Sequence, residues 1–138
     1  MTAPLELTIG SEIAEIPRVS DLLEEAMQAH GFSSEETLDT QLAVEEAITN
    51  VIVHGYGKAG ETVAITCRFE QGFMEIVIAD TARPFDPLSL PDPDLDAGMD
   101  ERRIGGLGVY LIRQVMDTVS YQYKDGRNIL TLTKKSAG

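Results

Sequence analysis

At 138 residues the chain can fill one hydrophobic core but not two comfortable ones, and its 43% hydrophobic and 25% charged residues set disordered and fibrous classes aside. The formal charge of −12, with only 11 Lys and Arg, argues against a nucleic-acid backbone as direct partner and leaves a basic protein or a metal-neutralised anion open. No run of 18 apolar residues occurs and MTAPLELTIG has no basic segment ahead of an apolar one, so a soluble, cytoplasmic, single domain over 1–138 with no membrane contact is expected.

LELTIGS (5–11) alternates like a short strand. PRVSDLLEEAMQAHG (17–31) reads as a helix, with Pro17 in its first turn and Gly31 past its end. SSEETLDTQLAVEEAITNVIVHG (33–55) opens on serines followed by acids and keeps helical spacing to Gly55, which makes it the longest element. ETVAITCRFE (61–70) and FMEIVIAD (73–80) are β-rich and meet at Gln71-Gly72, a hairpin signal. The single Cys67 falls in the first of these strands, has no cysteine partner, and reads as a half-buried strand residue.

Residues 83–104, RPFDPLSLPDPDLDAGMDERRI, hold four of the six prolines and show no periodicity. A loop this long inside a compact domain is a functional lid or a disordered linker. GLGVYLIRQVMD becomes helical after its glycines, and TVSYQY, KDGR and NILTLTK close the chain as a hairpin. Strands joined by short turns favour an antiparallel or mixed sheet. The expected fold is an α/β (α+β) two-layer sandwich, a mixed, mostly antiparallel sheet with helices on one face.

The long helix carries a conflict. At 100° per residue from Glu46, Asn50 falls at about 40°, Leu42 and Val53 at about −40° and −20°, Ala43 and Ala47 at about 60° and 100°. Apolar residues thus flank a carboxylate and an amide on both sides, while Glu45 falls among Gln41 and Thr49 on the expected solvent face. Unpaired, such groups would cost a few kcal/mol each when they lost water. Either a neighbouring loop bonds them, or they edge a pocket, with Glu46 a general base and Asn50 a ligand for magnesium beside phosphate oxygens. The helix alone does not choose.

Two further pieces stand nearby in the sequence. Asp80 ends the strand EIVIAD, either as a turn or cap residue or as an acceptor for an exocyclic amine such as that of adenine. Gly105, Gly106 and Gly108 begin a helix, either as a hinge or as a place where backbone N–H groups hold an anion. GxxxxGK[ST] is absent and GGLGVYL lacks the third glycine of GxGxxG, so P-loop and Rossmann readings drop out.

VEEAITNVIVHGYG, DTARPFDP and GGLGVYLIRQVMD, in this order and spacing, resemble the N box and two glycine boxes of the GHKL (HATPase-type, Bergerat) ATP-binding family of gyrase, MutL and sensor histidine kinases. Within it the chain looks most like the small bacterial anti-sigma-factor serine/threonine-protein kinases, from about residue 5 to 135. The resemblance implies that Glu46 activates the attacking hydroxyl and that Asn50 binds the Mg²⁺ bridging the ATP phosphates. It further implies that Asp80 accepts from the adenine amine, that the segment Gly105, Gly106, Leu107, Gly108 meets the phosphates through the N–H groups of Gly106 and Gly108, and that 88–104 is the ATP lid. Three positions depart from the family pattern. Ala82 replaces a glycine. Ile104 stands where an arginine often meets the terminal phosphate, with Arg103 and Arg102 just before it. Asn128 replaces a hydroxyl residue near the adenine.

The implied activity is phosphoryl transfer from ATP, leaving ADP, to an anti-sigma-factor antagonist, with a sigma factor as the regulated partner and a homodimer possible as in relatives. A nucleotide-gated binding module without kinase activity is the alternative. Phosphorylation on His is disfavoured, because only His30 and His54 exist and each stands near a helix end.

Overall fold

The computed structural model describes residues 4–89 and 107–137. Five strands, β1 (Leu5–Gly10), β2 (Thr62–Glu70), β3 (Phe73–Asp80), β4 (Thr118–Lys124) and β5 (Arg127–Lys135), form one sheet in the order β1-β2-β3-β5-β4. Every ladder is antiparallel. Among the described residues three helices, α1 (Ile16–Ala29), α2 (Ser34–Asn50) and α3 (Leu107–Val115), supply the second layer. The two-layer α+β sandwich expected from the sequence is the fold, with no parallel pairing among the described residues. None of the described helices is long and apolar enough to cross a membrane.

Local chemistry accounts for the elements. Pro17 lies in the first turn of α1, where its missing N–H costs no intrahelical bond. Ser33 and Glu36 form a reciprocal capping box: Ser33 Oγ accepts from the Glu36 N–H at 3.0 Å and Glu36 Oε1 accepts from the Ser33 N–H at 2.8 Å. The β4–β5 hairpin turns on Asp125 and Gly126, both at positive φ (54° and 77°), the pairing a tight two-residue turn requires.

The core lies between the sheet and the helices. Met74, Ile76 and Ile78 from β3 and Leu130 and Leu132 from β5 face Leu23 and Met27 of α1, Val44 and Ile48 of α2 and Ile112 of α3. These inward rows run with period two, so the next inward positions at one end of the sheet are Asp80 and Asn128. The register pairs those two residues directly. Two apolar rows therefore end side by side in polar groups, both buried.

The helix layer differs from expectation at two places. Glu45 is half-buried, and its Oε1 accepts from Ser20 Oγ of α1 at 2.7 Å, while Gln41 Nε2 donates to the Ser20 carbonyl at 2.9 Å. The face read as solvent thus partly seals α2 to α1. Leu42 and Val53 are exposed, so the apolar border of the Glu46–Asn50 pair is buried only on the Ala43 and Ala47 side. A single sequence shows the angle of a residue about a helix and not which neighbour occupies that angle. After Asn50 the helix widens into a π-helical turn over Val51–Tyr56, closed by Gly57 at φ 67°.

Candidate functional site

An open cleft enclosing about 550 Å³ lies between α2, α3 and one end of the sheet. Its walls are mainly apolar, with Ala47, Ile78, Val109, Ile112, Val119 and Leu130 prominent, and its polar side chains include Asn50, Asp80, Tyr121 and Asn128. Three residues singled out from sequence thus share one cavity though 30 and 48 positions separate them in turn.

The inner end is built around Asp80, 6% exposed. Its Oδ1 accepts from the Ala82 N–H and from Asn128 Nδ2, both at 2.9 Å. Among the described residues no donor reaches Oδ2, so a buried carboxylate faces the cleft with one oxygen saturated and the other unpartnered by protein. Asn128 also donates to the carbonyls of Ala82 and Arg83 at 3.1 Å and accepts from the Phe85 N–H at 3.1 Å and from the Tyr121 hydroxyl. Burial, aided by the carboxylates of Asp86 and Asp80, holds the Tyr121 phenol above its ordinary range against the lowering bond from Phe85. The hydroxyl therefore keeps its proton and donates it to Asn128.

Ala82 is buried, and its position is explained by Gly55. A Cβ added at Gly55 would stand 3.2 Å from Ala82 Cβ, tighter than ordinary contact, so the methyl group at 82 fits because position 55 has none. Tyr56, the next residue, secures the same turn: its hydroxyl accepts from the Thr81 N–H and donates to the Thr62 carbonyl, both at 2.8 Å. The resemblance to the N box includes this tyrosine and implies no role for it. Tyr121 has only one sequence signal, its inward place in an alternating strand.

The outer end is different. Asn50 lines the cleft from the last turn of α2, half-buried, and its side chain bonds to no described residue. Glu46, one turn earlier and also half-buried, is outside the cleft lining and likewise has no protein partner among the described residues. The loop-bonded alternative for this pair is therefore unrealised among them. Leu107 and Gly108 open α3, whereas Arg102, Arg103, Gly105, Gly106 and most of the 88–104 lid lie outside the described residues.

Among the described residues no cluster of three or more His, Cys, Asp or Glu could hold a metal by itself. A cation at Asn50 would complete its shell with phosphate oxygens and water, which is how Mg²⁺ is commonly held. The donor set fits that ion bound together with a nucleotide. Burial pushes the Cys67 thiol up to about 12, which leaves it inert as a nucleophile. His30 stacks on Phe69 with ring centroids 4.1 Å apart, and the His54 carbonyl lies 3.5 Å from an Arg83 guanidinium nitrogen.

Residues 9–134 match the family model of the histidine kinase-like ATPase domain. The chain is 37% identical over 98 residues to the serine/threonine-protein kinase BtrW of Bordetella bronchiseptica, covering 70% of this chain and 68% of that protein. It is 32% identical over 108 residues to the serine-protein kinase RsbW of Halalkalibacterium halodurans, covering 75% of this chain and 65% of that one. With the RsbW of Staphylococcus aureus the match is 28% over 136 residues, 94% of this chain and 85% of the relative. A crystal structure of the RsbU and RsbW domains of Rv1364c from Mycobacterium tuberculosis has a TM-score of 0.69 at 17% identity, covering 98% of this chain and 33% of that one, a likeness of fold.

Proposed function

Because the chain belongs to the histidine kinase-like ATPase family, with serine-protein kinases among its relatives, we propose that it is a Mg-ATP-dependent protein serine/threonine kinase of the anti-sigma-factor type. The observation that carries the reading is Asp80: a buried carboxylate lining an apolar cleft, with one oxygen saturated and the other without a donor among the described residues, suits a flat base bearing an exocyclic amine. The position of Asn50 on the α2 wall of the same cleft supports a phosphate end there.

In this reading the base slides between the apolar walls and donates its amine to Asp80 Oδ2, while Asn50 offers its amide oxygen at the phosphates. Bound there, Mg²⁺ would supply the positive charge that an acidic chain lacks. Glu46 takes the proton of a serine or threonine hydroxyl, whose oxygen bonds to the γ-phosphorus as the bond to the bridging oxygen of ADP breaks. Positioning and electrostatics supply most of the acceleration in such transfers. The acceptor is an anti-sigma-factor antagonist and the regulated partner a sigma factor, a reading supported by the kinase names of the relatives.

Titration calorimetry with ATP and ADP, with and without Mg²⁺, tests the site. Binding that needs Mg²⁺ and weakens in Asn50→Ala supports it, and absence of binding in every condition rejects it. The place of Glu46 outside the cleft lining favours a second reading, a nucleotide-gated binding module without phosphotransfer. Transfer of labelled phosphate to protein acceptors, lost in Glu46→Gln with nucleotide binding kept, decides for the kinase.

A further inference from the structure

We propose that Asn128 is a positioning residue that fixes Asp80 in one rotamer, so that base selection rests on a single carboxylate oxygen and not on position 128 itself. The proposal rests on the nucleotide reading above.

An asparagine side chain has two N–H donors and an oxygen with two lone pairs. In Asn128 all are committed to the protein. Nδ2 serves Asp80 Oδ1 at 2.9 Å and the carbonyls of Ala82 and Arg83 at 3.1 Å each. Oδ1 receives the Phe85 N–H at 3.1 Å and the Tyr121 hydroxyl. The amide is 7% exposed, so water does not share these bonds to any extent. Nothing is left over for a ligand, although the residue lines the cleft.

What the amide does instead is hold two things at once. It supplies one of the two donors that fix Asp80 Oδ1, and it ties the turn through residues 82, 83 and 85 to β5. The strand register makes this possible, since Asp80 and Asn128 are direct cross-strand partners with side chains on one face. With Oδ1 spent, Oδ2 is the carboxylate oxygen left for the base. A fixed acceptor favours a 6-amino purine and opposes a 6-oxo purine, whose lone pairs would meet those of the carboxylate.

A hydroxyl at 128 has one proton and cannot serve the carboxylate and two carbonyls together. Asn128→Thr should therefore loosen Asp80 without adding a usable contact. The test compares ATP with inosine triphosphate, which differs at position 6 and N1, by calorimetry on the wild type, Asn128→Thr, Tyr121→Phe and Asp80→Asn. The expected result is a wild type strongly selective for ATP and a ratio that shrinks about tenfold in Asn128→Thr, chiefly through weaker ATP binding, as for one hydrogen bond to a charged group. Tyr121→Phe, which removes one bond into Asn128 and leaves Asp80 untouched, should shrink the ratio by less.

A folded Asn128→Thr that keeps the wild-type ratio overturns the proposal whatever its melting temperature, because a purely structural role would lower stability and leave selectivity alone. If Asn128→Thr does not fold, an unchanged ratio in Tyr121→Phe overturns it equally. A wild type that binds neither nucleotide overturns the nucleotide reading itself, and this inference with it.

Discussion

The two ends of the cleft are built on opposite principles. At the inner end Asn128, Tyr121, Tyr56, the turn after β3 and Asp80 Oδ1 satisfy one another through bonds made by the protein, and Asp80 Oδ2 alone of that carboxylate has no donor among the described residues. At the outer end Asn50 and Glu46 have no protein partners among the described residues. The inner end is preorganised, whereas the outer side chains are held by no bond to a described residue. Preorganisation lowers what a ligand must spend on ordering the site, whereas polar groups left unpaired beside apolar walls make affinity depend on a ligand that satisfies them.

The comparison can be broken at the inner end first. Asp80→Asn keeps an oxygen for Ala82 and Asn128 but turns an N–H toward the base amine, so ATP affinity should fall about 100-fold, roughly 2.7 kcal/mol, with little change in fold. Calorimetry checks this. Next, Gly55→Ala should lower stability by about 1–2 kcal/mol, because its new methyl group would sit 3.2 Å from Ala82 Cβ in a packed site. Ala82→Gly added to it should recover part of the loss. Thermal or urea melts on the four members of that cycle measure the coupling, and simple additivity would mean that the two positions do not share space.

The outer end should respond in the opposite manner. Asn50→Ala is expected to weaken Mg-ATP binding about tenfold while unfolding stability stays within about 0.5 kcal/mol of wild type, since no bond to a described residue is lost. A large drop in the melting midpoint would show that Asn50 is structural after all. The smallest effect lies at the start of α2. Glu36 accepts N–H bonds from Ser33 and Ala137, and these backbone donors hold its pKa below 4.5. Its contribution is present above the unfolded-state pKa and is lost as pH falls through the lower folded value. Acid-limb melts should therefore flatten slightly in Glu36→Gln.

Features set by neighbours in sequence were legible beforehand. The capping box of α2, the Gln71-Gly72 and Asp125-Gly126 turns, Pro17 in the first turn of α1 and the order of strands and helices all follow from contacts within a few residues. Asn50, Asp80 and Asn128 could be singled out by sequence patterns and resemblance. The partnership of Asp80 with Asn128 was not visible, because it depends on the β3–β5 register across 48 positions. The same holds for Glu45, whose bond to Ser20 crosses 25 positions, and for Ala82, a departure from the family pattern whose methyl group stands against Gly55. Periodicity reports which face a side chain occupies, and only the packed helices decide whether that face meets solvent.

The turn after β3 is gripped from both directions along the chain, by Tyr56 from 25 residues upstream and by Asn128 from nearly twice as far downstream. Closing such long loops is entropically costly and tends to come late in folding. During synthesis the helices and the β2–β3 hairpin can therefore assemble while the inner end is still incomplete, and full competence for a nucleotide should arise only when the final hairpin has emerged and docked. Binding then reports on completion of the sheet, so a truncation before β5 should leave a protein unable to select its base however much of α2 and β3 it retains.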